Sequence, residues 1–331
     1  MPKIEVKYAT AELNSGENVR VPYWQISANV DGPAFLVLSC QHGNEVNGSE
    51  AIRRFVQIAE SKLKSGVIFA VPFANVLAMQ KRRPHISLGP EQPYGDDQGH
   101  NMNRTWPGKA DGNDTERLSY AISEAVAKHA THVLDFHSWA RFSATGAIVR
   151  KAYPPSKELA DISAIRFIHV STIPKQEPEY TTIGGLFSRT GRAGFTIELT
   201  GQYVIAEREV QRGVRAATNV AKHLGMLDGE LEGLDEPSFY LDEVDLITVK
   251  APCTGLFVES GLATWDYVEK GQNLGHLLSD ETLATVEIIA PVSGYLRAYG
   301  ACRANCDVAL PAQHPYADKG ESLAVIASPQ K

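Results

Sequence analysis

The sequence predicts an α/β protein: a mixed sheet flanked by helices, followed by a small all-β domain. Three observations carry this. Apolar runs at 35–39 and 67–71 bracket a stretch of helical periodicity, giving strand, helix and strand at the lengths of a right-handed βαβ unit. Further apolar runs end at His137 and beside Glu198. After a polar stretch at 228–238 that contains glycine and proline, the chain changes to short strands and turns. Its 331 residues are enough for more than one core, and the expected division is 1–230 and 231–331.

In chain order, residues 19–26 have strand character, and Pro22, lacking an N–H, favours an edge. Asp31-Gly32-Pro33 is a turn. Residues 35–39 are almost continuously apolar, as a parallel strand covered on both faces requires. A helix is expected over about 46–62, with Ala51, Ile52, Phe55, Ile58 and Ala59 on one side. Ser65-Gly66 ends that unit before the strand at 67–71. Residues 72–112 lack periodicity and are too long for an idle connection. Asp114 is placed to cap a helix through Leu118, Ala121, Ile122, Ala125 and Val126. Strands are expected at 133–136 and 144–149, a helix at 160–170, and a loop leading into a short helix at 184–189. A strand at 195–201 and an amphipathic helix at 208–224, closed by Gly225, complete this part.

Composition excludes some functions. Lys and Arg number 32 against 39 Asp and Glu, a formal net charge of -7, so there is no basic field for nucleic acid or an anionic membrane. No apolar run approaches the roughly 18–20 residues of a membrane span. Residues 1–5 lack the apolar core of a secretory signal, so a cytoplasmic protein is expected. Cys40, Cys253, Cys302 and Cys306 form no Cys-x-x-Cys pair, which favours reduced thiols over a disulfide scaffold or a four-cysteine zinc site.

The chemistry gathers where apolar runs end. Cys40-Gln41-His42-Gly43-Asn44-Glu45 follows the first run. If the turn tightens into helix here, His42 and Glu45, three apart, face the same way, and both residue types bind Zn2+. Gly43 would permit a sharp bend. The same stretch also reads as a capping turn in which Asn44 or Glu45 serves the helix start. His137 lies at the carboxyl end of a strand, where functional groups collect in open α/β sheets. Glu198, among apolar neighbours, needs a partner or a task. His42, Glu45 and His137 thus offer three ligands and leave a fourth position, the pattern of catalytic zinc. Glu198 is the candidate general base and then acid. Arg82 or Arg83 is the candidate oxyanion donor, and Asn103 with Arg104 the candidate grip on a substrate carboxylate. Asp135, two residues before His137, shares its side of an extended strand and either orients that ligand or braces the loop. His85, His100, His129, His132 and His169 are given no role.

The residues His42-Gly43-Asn44-Glu45, Asn103-Arg104, Asp135-Phe136-His137 and Ile197-Glu198-Leu199 resemble the succinylglutamate desuccinylase/aspartoacylase family, related to the M14-like zinc carboxypeptidases. The resemblance spans roughly 30–225. It implies a zinc-carboxypeptidase-like sheet and a zinc-dependent amidohydrolase that cleaves a small N-acylated amino acid or related amine bearing a carboxylate. His42, Glu45 and His137 match the metal ligands, Glu198 the catalytic glutamate, and Asn103 and Arg104 the carboxylate-binding pair. The oxyanion arginine matches less cleanly: Arg82 and Arg83 stand further upstream of Asn103 than in the family, and Asn101-Met102 replaces the usual Asp-Leu. A metallocarboxypeptidase acting on peptides uses the same groups, and a non-enzymatic binding module is a further alternative.

In the C-terminal part, Ala251-Pro252-Cys253-Thr254-Gly255 rhymes with Ala290-Pro291-Val292-Ser293-Gly294, which suggests two similar halves and resembles the biotinyl/lipoyl-like fold. The hairpin that holds a modified lysine in such domains reads Ser279-Asp280-Glu281-Thr282, so carrier function does not follow. Structural support, a share in shaping the entrance to the site, or assembly into a homo-oligomer is expected instead.

Overall fold

The computed structural model describes residues 1–87, 100–151, 153–171, 182–235, 238–302 and 314–329. One mixed sheet is built from β1 (Lys3–Glu12), β2 (Asn18–Ser27), β3 (Ala34–Ser39), β4 (Val67–Val71), β5 (His132–Trp139), β6 (Gly146–Arg150), β7 (Phe167–Ser171), β8 (Ala193–Thr200) and β9 (Phe239–Tyr240). Their order across it is β1-β2-β4-β3-β5-β8-β6-β7-β9. The four central strands β4, β3, β5 and β8 are parallel, so their carboxyl ends share one edge.

The helices α1 (Asn47–Lys62), α2 (Val76–Lys81), α3 (Asp114–Ile122), α4 (Pro154–Asp161), α5 (Ile183–Arg189) and α6 (Glu207–His223) lie on the two faces. β3 shows why both faces are covered. All six of its residues are buried. Phe35 and Val37 enter the core beneath α1, α4 and α6, while Leu36 and Leu38 enter the one beneath α3 and α5. Alternation along a strand sends successive side chains to opposite sides. On α1, Ile52 and Phe55 are fully buried, each contributing about 1.5–3 kcal/mol of transfer free energy.

Several expectations are corrected. β2 is not an edge strand, yet Pro22 still obeys its chemistry: β4 pairs only with Trp24 to Ser27, so no strand faces Pro22 on that side. The helix expected at 160–170 is α4, which starts earlier with two prolines in its first turn, followed by the strand β7. Aromatic and β-branched Phe167, Ile168 and Val170 favour the strand. The cap of α3 is Asn113, not Asp114, closing a capping box with Glu116. The 72–112 stretch contains α2 and a 3₁₀ turn, Met102–Arg104. Expectations for 88–99 and for Cys306 lie outside the described residues.

Beyond β9 come β10 (Val244–Lys250), β11 (Gly255–Glu259), β12 (Tyr267–Val268), β13 (Asn273–Ser279), β14 (Thr285–Ile289), β15 (Gly294–Cys302), β16 (Tyr316–Ala317) and β17 (Ser322–Pro329). They form two antiparallel sheets, β10-β17-β15-β12 and β14-β13-β11-β16, around a core that includes Phe257, Leu274, Leu296 and Ile326. The glycines of the two rhyming segments each open a strand, β11 and β15. β9 lies past residue 230 but pairs with β7 of the large sheet. The β domain docks by main-chain bonds: Ala144 N donates to Arg297 O at 2.9 Å and Tyr299 N to Phe142 O at 2.8 Å. Trp265 joins the large core, and its Nε1 donates to Thr145 O at 3.0 Å. Among the described residues no helix is long and apolar enough to cross a membrane.

Candidate active site

Three adjacent strands deliver the candidate residues. β3 stops at Ser39, and Cys40 takes a left-handed backbone, φ 60°, that carries the chain over the sheet edge. The bend expected of Gly43 therefore falls at Cys40. Gly43 serves close approach instead: a Cβ there would stand 2.1 Å from the Ala78 carbonyl carbon in α2. His42 and Glu45 are joined by a turn, not a helix, with Glu45 N donating to His42 O at 3.0 Å. α1 begins only at Asn47. β5 runs on through His137, which stands opposite Glu198 of β8 in parallel register.

His42, Glu45 and His137 are all buried, and one ligand atom from each lies within 4.8 Å of the others. His137 Nδ1 is 2.9 Å from Glu45 Oε2, and its Nε2 is 3.0 Å from Asp135 Oδ2. Gln41 Nε2 donates to both Asp135 oxygens at 2.8 Å, and Gln41 Oε1 accepts from Trp106 Nε1 at 2.7 Å. This buried relay fixes the His137 ring and leaves Nδ1 on the Glu45 side. Ser138 N donates to Glu45 Oε2 at 3.0 Å. Two imidazoles and a carboxylate, converging, buried and braced from behind, are a donor set that fits zinc.

Burial, opposed in part by Glu45, pulls the His42 pKa down to about 3, so its ring is neutral with a lone pair available. Burial also pulls His137 down, but Asp135 and then Glu45 outweigh it and hold its pKa well above the ordinary value. Glu198 is half-buried. Burial raises its carboxyl to about 8; His137 opposes this, while Glu45 and Asp135 add to it.

The arginines separate. Arg82 is an exposed, left-handed C-cap of α2. Arg83 is half-buried, and its charge reaches the phenol of Tyr203, whose backbone N donates to Asn44 O at 2.7 Å. Of the two, Arg83 is the more buried. Asn103 Oδ1 is buried without a hydrogen-bond partner among the described residues. Arg104 is exposed, donates to Asn103 O at 2.7 Å, and its charge reaches His42. A cleft of about 700 Å³ between α1 and α6 contains none of these residues.

Sequence reasoning missed three contributors. Gln41 was a neighbour of His42 with no assigned task. His85, given no role, is buried with its ring edge-on to His42 at 5.1 Å; its place two residues after Arg83 was the available hint. Arg297, from the β domain, also acts on Glu198, after the larger effects of burial, His137, Glu45 and Asp135, and nothing in the sequence pointed to it.

The sequence model of the succinylglutamate desuccinylase/aspartoacylase catalytic domain matches residues 31–224. The chain is 26% identical over 282 residues to an N-alpha-acetyl-L-2,4-diaminobutyric acid deacetylase of Halomonas elongata, covering 81% of this chain and 78% of that protein. An aspartoacylase family protein from Mesorhizobium loti has a similar fold, with TM-score 0.70, 21% identity, and 100% and 96% of the two chains covered. So has a product-bound ectoine utilization protein from Ruegeria pomeroyi, with TM-score 0.69, 18% identity, and 99% and 98% covered.

Proposed function

This chain belongs to the succinylglutamate desuccinylase/aspartoacylase family, and from that premise we propose that it is a zinc-dependent hydrolase of the amide bond in a small N-acylated amino acid or related amine. The observation that carries the reading is the convergence of His42, Glu45, His137 and Glu198 at the ends of three adjacent parallel strands. The deacetylase named for the Halomonas relative supports the reaction class.

His42, Glu45 and His137 would hold the metal. When bound, it supplies a Lewis acid that polarises the amide carbonyl and makes a water molecule more acidic. Glu198 takes the proton of the attacking water and passes it to the leaving nitrogen. Burial raises the proton affinity of Glu198, which suits a group that must both accept and release a proton near neutrality. Arg83 steadies the developing oxyanion, a role Arg82 is too exposed to share. Asn103 and Arg104 take the substrate carboxylate. Asp135, through His137 Nε2, keeps that ligand's ring in place. Free thiols at Cys40, Cys253 and Cys302 support a reducing, cytoplasmic setting, and the β domain is a candidate surface for homo-oligomer assembly.

The test is metal content per chain together with turnover of N-acetyl and N-succinyl amino acids, dipeptides and longer peptides. About one zinc and turnover of the N-acyl amino acids are expected. Faster peptide turnover would establish the carboxypeptidase alternative. No metal taken up by the folded protein would leave a binding module on a hydrolase fold.

A further inference from the structure

Past Glu198 the large sheet continues into β6 and β7, and here the β domain reaches in. Gly146 stands opposite Glu198 on one side and Phe167 on the other. A Cβ at Gly146 would lie 3.2 Å from Trp139 Cζ3 and 3.3 Å from His169 Cδ2. Its absence lets those rings meet edge to face, with centroids 5.0 Å apart. Arg297 of β15 lies against both. Its Cζ is 4.5 Å from the Trp139 ring centre, and its Nη2 is 2.8 Å from His169 Nε2. A guanidinium only donates, so His169 must accept at Nε2. Burial, then the charge of Arg297, hold the His169 pKa down to about 3, in keeping with a neutral acceptor ring.

Arg297 is held there firmly. Its own carbonyl accepts from Ala144 N, and the next residue, Ala298, forms a bridge with Ser143. Among the described residues its remaining side-chain hydrogen bond is a long one, Nη1 to Ala144 O at 3.4 Å, and the guanidinium also lies 6.0 Å from the Phe167 ring centre. Glu198 is the carboxylate whose charge acts on Arg297, yet among the described residues no hydrogen bond or ion pair joins the two. A part-buried guanidinium whose charge acts on the Glu198 carboxylate thus keeps N–H groups that have no acceptor among the described residues. Arg104, by contrast, is a cation whose charge reaches His42 and is not among those acting on Glu198.

We propose that Arg297 is a specificity-determining residue supplied by the β domain: the end of the substrate remote from the carboxylate held at Arg104 terminates in a hydrogen-bond acceptor, carboxylate or carboxamide, and not in an ammonium. This rests on the N-acyl hydrolase reading. The guanidinium offers donors to an acceptor and repels a second cation, so one residue supplies both attraction and exclusion. His169 and Trp139 keep it in place, and Gly146 leaves room for those two rings.

The experiment compares kcat/KM across N-acyl amino acids whose acyl end or side chain terminates in carboxylate, carboxamide, methyl or ammonium, for the wild type, Arg297→Met and Arg297→Lys. Metal content and thermal midpoint are read alongside. The wild type is expected to favour acceptor-terminated over ammonium-terminated substrates by about tenfold or more. Arg297→Met should lose most of that preference with its metal retained, and Arg297→Lys should keep part of it. An equal loss on all substrates, or a wild type that prefers the ammonium series, overturns the assignment. No turnover of any N-acyl amino acid by the wild type overturns the hydrolase reading, and this one with it.

Discussion

Two regions of the molecule handle buried charge in opposite ways. Where α6 meets the β domain, Glu209 and Arg212 are 5% and 6% exposed and paired directly, Arg212 Nη1 to Glu209 Oε1. The other carboxylate oxygen accepts from the Thr145 hydroxyl and from Thr200 N at 3.1 Å, and the guanidinium lies 3.7 Å over the Trp265 ring. One anion meets one cation, and hydrogen bonds complete the set. At the strand ends, by contrast, the Glu45, Asp135 and Glu198 carboxylates gather near the His137 and His42 imidazoles; Asp135 and Glu45 raise the proton affinity of His137, and both also raise that of Glu198. The first arrangement is complete as protein and braces a junction. The second pairs no carboxylate with a cation of its own in a closed set, and its groups shift one another's proton affinities, as an acid–base site requires.

Four experiments would break or sharpen that contrast. The largest effect is expected from Glu198→Gln, which should lower kcat by about 10²–10⁴-fold while zinc content stays at the wild-type level. A rate close to wild type would move the base to another residue. Next, Glu209→Ala strands the Arg212 charge and should cost about 3–5 kcal/mol in urea unfolding, without changing metal stoichiometry. If the loss were small, the junction pair would resemble a surface pair and the contrast would fail. Asp135→Asn should weaken metal binding by about 10–100-fold in competition with a chelator, since His137 loses its rear carboxylate. The smallest effect is on pH dependence. A general base must be ionised, and burial raises Glu198 to about 8, so kcat/KM should climb with pH through a limb above the ordinary carboxylate range. A limb near 4.5, the value of an unperturbed glutamate, would show that bound metal and His137 cancel the burial effect.

Legibility followed the range of the forces involved. β3, α1 and β4 were readable because a strand buried on both faces must be apolar throughout and a helix over it must repeat its apolar face. His42, Glu45, His137 and Glu198 were readable because they interrupt or end such runs. The 160–170 segment was misread: Leu159, Ala160 and Ile162 suit a helix locally, and only the pairing of β7 with β6 shows where strand replaces it. The difference between Arg82 and Arg83 needed the fold, because the left-handed C-cap at Arg82 leaves that residue exposed while Arg83 is half-buried. Arg297 was beyond any local reading. Its neighbours Trp139 and His169 lie in the other half of the chain, and a lone arginine in a β strand has no signature.

The way β15 is held has a consequence for the order in which the protein comes into being. In its sheet β15 lies between β12 and β17, and Leu296 and Ala298, on either side of Arg297, register with Ile326 and Val325 of β17. On the ribosome the His42–Glu45 loop is made before the β domain, and the large sheet can begin to collapse ahead of it. The strand that carries Arg297 gains its second neighbour only when residues 322–329 have been made. A chain cut short of β17 would therefore keep His42, Glu45, His137 and Glu198 but lack a firmly placed Arg297. Such fragments should be indiscriminate toward substrates, so selectivity would depend on a strand made long after the residues that carry the chemistry.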